Sequence, residues 1–164
     1  MSPRSSERIA AEGTKEVLLD ILQLVLNQAP IDRRYAKKLY YLRQEKYIRK
    51  QGGKDRLTLK GQQTLSERVL WELAIPKPKR WDGKWRVVLF DIPKDKRKRR
   101  DIFRTHLKEL GLLLYQNSVW IYPYSLEKQV LQIADFHKLS GCVSFITAET
   151  ISDEKYYLQK FGLL

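Results

Sequence analysis

The sequence has one cysteine, Cys142, which excludes an intramolecular disulfide and a cysteine-based zinc site and fits a reducing cytoplasm. It also lacks long apolar runs. A membrane-spanning helix needs ~20 apolar residues. The longest apolar stretch here, Val17 to Leu26, is interrupted by Asp20 and Gln23, and no signal-peptide core stands behind the N-terminal charges. No membrane association is expected. A phosphate-cradling glycine loop, a Gly-x-Ser-x-Gly elbow and a His/Cys ligand cluster are absent too, which removes the footholds of most enzyme classes. Acidic residues are the last shortage: 19 Asp and Glu stand against 32 Lys and Arg, a net +13. Such a surplus points to a polyanionic partner, nucleic acid first.

The surplus is uneven. Residues 1–80 hold 18 basic and 9 acidic side chains, and residues 81–164 hold 14 and 10, so the front of the chain is the expected binder. There, Met1 to Gly13 is polar, and Thr14 is placed to cap a helix carrying Val17, Leu18, Ile21, Leu22, Val25 and Leu26 at helical spacing. Ala29-Pro30 ends it. A second helix is expected from about Asp32 to Lys46, with Tyr35, Leu39 and Leu42 inward and Arg34, Lys37, Lys38 and Tyr41 on the opposite face. Strand-like runs Tyr47–Gln51 and Arg56–Leu59 then flank Gly52-Gly53-Lys54-Asp55, a hairpin with a basic, glycine-rich tip. Lys60-Gly61 leads into a helix carrying Leu65, Val69 and Leu70. Helix, helix, hairpin, helix resembles a winged helix-turn-helix, in which the second helix enters the major groove and the wing touches nearby phosphates.

Ile75-Pro76-Lys77-Pro78-Lys79-Arg80 reads as a stiff, exposed, basic linker. After it, Val87 to Ile92 is a short apolar run expected to form a strand buried on both faces, ended by Asp91 and Pro93. Six of the seven residues from Lys94 to Arg100 are basic, and they open a helix with Ile102, Phe103, His106, Leu107 and Leu110 inward and Gly111 as its stop. His106 and His137 sit on apolar stripes and read as packed core histidines. Leu112–Gln116 and Val119–Tyr124 are strands joined around Asn117-Ser118 by a tight hairpin or a bulge. A helix over Leu126, Val130, Ile133, Ala134 and His137 precedes a fourth strand, Cys142–Ala148. Strand, helix, strand, strand, helix, strand is the split β-α-β, ferredoxin-like order. Tyr156, Tyr157, Leu158 and Phe161 mark a terminal helix or extension.

The run Trp81-Asp82-Gly83-Lys84-Trp85-Arg86, then Val87-Val88-Leu89-Phe90-Asp91-Ile92-Pro93, the basic helix to Leu110-Gly111, and Asn117-Ser118-Val119-Trp120-Ile121-Tyr122-Pro123 resembles the PaaX-type transcriptional repressors. Phe90-Asp91-Ile92 and Gln116 to Trp120 also resemble the small dimeric CRISPR-associated nucleases. The resemblance implies a ferredoxin-like domain, preceded in the first family by a winged helix. It further implies an acyl-coenzyme A effector, phenylacetyl-CoA in the namesake case. This sequence stops soon after the ferredoxin-like region, short of those repressors' C-terminal region, which weighs against that effector.

The expectation is therefore an α+β chain with a winged-helix DNA-binding domain at residues 1–74, a basic Pro-rich linker at 75–84, and a ferredoxin-like dimerisation domain with a C-terminal extension at 85–164. Its expected function is that of a cytoplasmic transcriptional repressor, a homodimer on a palindromic operator in double-stranded DNA. Arg33, Arg34, Lys37, Lys38, Tyr41 and Arg43 would supply phosphate and base contacts, with Lys50, Lys54 and Arg56 on the wing. The alternative is a metal-dependent endonuclease, or a non-catalytic nucleic-acid scaffold, of the CRISPR-associated type. The resemblance makes Asp91 its one catalytic and metal-binding candidate, sharing Mg or Mn with its twin across a dimer two-fold. Otherwise Asp91 is expected to cap the following helix or pair with the arginines there, and the chain is not an enzyme.

Overall fold

A computed structural model describes residues 16–164, so the polar segment Met1–Gly13 and the cap expected at Thr14 lie outside the described residues. The chain divides into two compact units, one through Val69 and one from Leu70 to Leu164. Helix and strand are mixed in both, which makes the protein α+β.

In the first unit, helix α1 (residues 16–26) turns Ile21, Leu22 and Val25 into the core. Leu26, expected on that stripe, is exposed. A 3-10 turn, Arg33–Tyr35, opens the next helix, and the Asp32 carboxylate accepts from the Arg34 N–H at 2.7 Å to start it. Helix α2 is Ala36–Gln44; Leu42 is buried, with Tyr35 and Leu39 packed beside it. Strands β1 (Ile48–Gln51) and β2 (Lys54–Leu57) pair antiparallel around a turn of only Gly52 and Gly53. Both glycines take positive φ, 57° and 76°, as the two-residue turn that matches strand twist requires. The tip is therefore shorter than expected, and Lys54 and Asp55 join the ladder.

Helix α3 (Leu59–Trp71) begins at Thr58, whose Oγ1 accepts from the Gly61 N–H at 3.2 Å and lies 2.6 Å from the Lys46 carbonyl oxygen. Gly61 is buried against the Tyr47 carbonyl: a Cβ built there would stand 2.3 Å from that oxygen. Leu65 points into the core, but Val69, expected to follow it, is 57% exposed.

The second unit runs β3 (Trp85–Phe90), α4 (Arg97–Glu109), β4 (Leu113–Gln116), β5 (Val119–Tyr122), α5 (Glu127–Phe136), β6 (Val143–Ala148) and α6 (Glu154–Phe161). Its sheet has the order β4-β5-β3-β6, every neighbouring pair antiparallel. Alternation along the strands puts Val88, Phe90, Trp120 and Tyr122 on one face, in a core shared with Phe103 and Leu107 of α4 and Val130, Ile133 and Ala134 of α5. On the other face Trp85 and Ile121 are buried, while Val87 and Leu89 are half-buried and Ile146 is exposed, so β3 is covered completely on one side only. Trp85 is fixed by its Nε1–H donating to Glu154 at 2.8 Å and by the ring of Phe161.

Asn117 and Ser118 form a two-residue turn, and the ladder also carries a bulge between Leu114 and Gln116, so both of the open alternatives occur together. Ile75, placed by sequence at the head of an exposed linker, is 7% exposed and belongs to the second core; the linker residues 76–80 are exposed. Ile102 is exposed rather than part of the α4 core stripe.

Candidate nucleic-acid interface

The 3-10 turn before α2 carries Arg33 and Arg34, and the outer face of α2 carries Lys37 and Tyr41, all four exposed. Burial of Leu42 on the inner side turns them outward, because residues three and four apart share one face of a helix. Arg34 reaches back to Asp32 at 3.0 Å, a highly exposed pair that leaves most of the guanidinium open. Lys38 is half-buried, its ammonium 5.9 Å from the Tyr35 ring centroid.

Arg43 is engaged differently. Its Nε and Nη2 donate to the two Asp55 oxygens at 2.9 and 2.7 Å, a bidentate pair between α2 and β2. Hydrogen bonding from Arg43 holds the Asp55 carboxyl below its ordinary pKa and raises that of the guanidinium in turn. Arg43 thus locks helix to hairpin, and its fork is occupied.

Strand register divides the expected wing residues. Ile48↔Leu57 and Lys50↔Asp55 alternate with Arg49↔Arg56 and Gln51↔Lys54, so Lys50 shares a face with Asp55 while Arg49, Lys54 and Arg56 share the other. The Lys50 ammonium donates to the Gly53 carbonyl at 3.2 Å. Lys54 and Arg56 are exposed beside a hollow of about 570 Å³ lined also by Leu26, Gln28 and Gln62. Arg49 was not among the candidates. Counting alternate positions outward from the buried Ile48 would have found it, facing Arg56 across the ladder. Like charges directly opposed destabilise a strand pair unless an anion lies between them.

The second unit holds Asp91, exposed and one residue past the end of β3, its backbone N–H donating to the Cys142 carbonyl at 3.0 Å. Its carboxylate caps nothing: the turn Lys94–Lys96 and helix α4 begin at Pro93 and Lys96 with no side-chain cap. Nor does it pair with the nearby arginines, since Arg97 and Arg100 both lean toward Asp101. The expected structural role of Asp91 is therefore corrected: the strand ends at Phe90, two residues before the expected Ile92, and the side chain is exposed. Among the described residues no group of three or more His, Cys, Asp or Glu is placed to hold an ion. A divalent metal would have to find its other ligands elsewhere.

His106 is 2% exposed, stacked on Trp71 with ring centroids 3.7 Å apart and 5.3 Å from His137. Burial, and secondarily His137, pushes its pKa down to about 4, so it packs as a neutral ring.

These observations define an α+β protein of two compact units, the first presenting a basic helix-and-hairpin surface. Among the described residues no helix is long and apolar enough to cross a membrane. Residues 78–157 match the family model described as the PaaX protein central Cas2-like domain. The match spans just under half of the chain and supports membership of the PaaX family, which suggests a transcriptional regulator. No curated protein and no solved structure gives a significant match to the chain.

Proposed function

We propose that this protein is a DNA-binding transcriptional repressor that acts as a homodimer on a palindromic operator. In this reading α1 to α3 with the β1–β2 hairpin are a winged helix, residues 76–84 a basic linker, and β3 to β6 a ferredoxin-like domain that joins two copies. The Arg43–Asp55 clamp carries the reading. By tying α2 to β2 it holds the helix that bears Lys37 and Tyr41 in a fixed position against the hairpin that bears Lys54 and Arg56, a preorganisation of the sort that entry into a major groove with a wing on the flanking phosphates requires. The PaaX-like segment supports the regulatory role. An acyl-CoA effector is best sought in the hollow of about 510 Å³ lined by Pro76, Arg80, Tyr124 and Lys128.

The test is selection of binding sites from random duplex DNA, followed by salt titration on the selected site. An enriched palindrome and a dimer mass by light scattering are expected. Arg34→Ala/Lys37→Ala should reduce the log–log salt slope by about 2, at ~0.9 per lost phosphate contact. No enrichment, or an unchanged slope, would overturn the assignment of α2.

A further inference from the structure

Outside residues 94–108 the second unit is electrically balanced, with nine Lys and Arg against nine Asp and Glu; inside that segment eight cations meet two carboxylates. The whole surplus of the unit thus lies on the turn Lys94–Lys96 and helix α4. Phe103, His106 and Leu107 face the core, and Arg97, Arg100, Arg104 and Lys108 follow one another at helical spacing along the flank of α4 beside them, Arg97 and Lys108 exposed and Arg100 and Arg104 half-buried. Four residues of helix rise about 6 Å, a step comparable to that between successive phosphates of one strand.

The stripe is poorly neutralised. Asp101 is its only carboxylate, and the Nε atoms of Arg97 and Arg100 stand 3.9 and 3.6 Å from it, too far for hydrogen bonds. The Arg100 Nε is shut from solvent and has no hydrogen-bond partner. The first turn of α4 also has no acid and no side-chain cap, although cations at that end oppose the helix dipole. Among the described residues only these two long ion pairs to Asp101 offset the local cost, which marks a surface kept for a ligand.

We propose that this flank of α4, from Arg97 through Arg104 to Lys108, is a second and sequence-independent contact for the phosphate backbone of double-stranded DNA. Charge complementarity selects a polyanion, and the outer face narrows the choice. It has no aromatic side chain on which the bases of a single strand could stack. Of the large apolar side chains of α4, Phe103 and Leu107 are wholly buried and Ile102 alone is exposed, too little to enter a lipid surface. The proposal does not depend on α2 reading an operator.

The experiment uses the full chain, a duplex of arbitrary sequence, and the variant Arg97→Gln/Arg104→Gln/Lys108→Gln. Loss of these contacts should lower the log–log salt slope by about 2 to 3 and weaken binding about tenfold or more at roughly 100 mM salt, whatever the sequence. Its melting temperature should not fall below that of the parent, since removing Arg97 relieves the conflict with the dipole. If the triple variant fails to fold, Arg97→Glu alone serves, with the same direction expected in binding. Unchanged affinity and slope in a folded variant would overturn the proposal. So would normal DNA binding alongside variant-sensitive adhesion to phosphatidylserine vesicles, which would assign the stripe to membranes. Arg34→Ala/Lys37→Ala, run in parallel, separates the two surfaces: weakening there with no effect from α4 sinks only this proposal, and the reverse sinks only the α2 assignment.

Discussion

At the scale of single residues, His106 ties stability to pH. Its imidazole holds a proton only below about 4 when folded, against an ordinary value of 6.5, so between those values the unfolded chain binds more protons. Stability is therefore complete above pH ~6.5 and lost as pH falls toward ~4, by up to about 3 kcal/mol for this group. Denaturant unfolding at pH roughly 7.5 and roughly 5 should show the loss, and His106→Phe, which keeps a ring against Trp71 but carries no proton, should flatten it. Equal pH dependence in parent and variant would remove His106 as the cause. Asp91 gives the opposite expectation. An exposed carboxylate that caps nothing should be replaceable by alanine within about 0.5 kcal/mol. We also expect no magnesium- or manganese-dependent cleavage of DNA or RNA; nicking that disappears in a folded Asp91→Ala protein would establish the nuclease alternative instead.

At the scale of elements, Gly61 decides how closely α3 can approach the chain at Tyr47. Alanine would gain up to about 1 kcal/mol of helix propensity, but its methyl would collide with a carbonyl oxygen that has no side-chain freedom to yield. The collision should prevail, and Gly61→Ala is expected to lower stability by about 1–3 kcal/mol in chemical denaturation. Elements such as α2, α5 and β6 were legible because apolar spacing declares period and length together, as Val130, Ile133 and Ala134 do for α5. What escaped depended on partners distant in sequence. Nothing local to Arg43 announces Asp55, twelve residues on and brought opposite by the hairpin. Val69 and Leu26 belong by spacing to apolar stripes, yet each lies near a helix end, where the neighbouring element no longer covers it. Lys50 and Arg56 looked equivalent until the register put them on opposite faces. The strand expected at Val87–Ile92 lies two residues earlier, at Trp85–Phe90, which leaves Asp91 beyond its end with an exposed carboxylate.

At the scale of the whole molecule, a charge of +13 means that the fold forms against its own repulsion. The crowding is greatest at the start of α4, where Arg97, Lys98, Arg99 and Arg100 meet the positive end of a helix without an acid among them. Added salt screens such charges. The free protein should therefore melt at a higher temperature as sodium chloride is raised, and a flat or falling melting temperature would count against repulsion as a main weakness of the fold. The same screening releases a polyanion. Conditions for keeping the protein and conditions for watching it bind are accordingly opposed: a concentrated stock is best held in strong brine, and transfer to the dilute buffer that favours a complex exposes the unliganded protein at its most fragile.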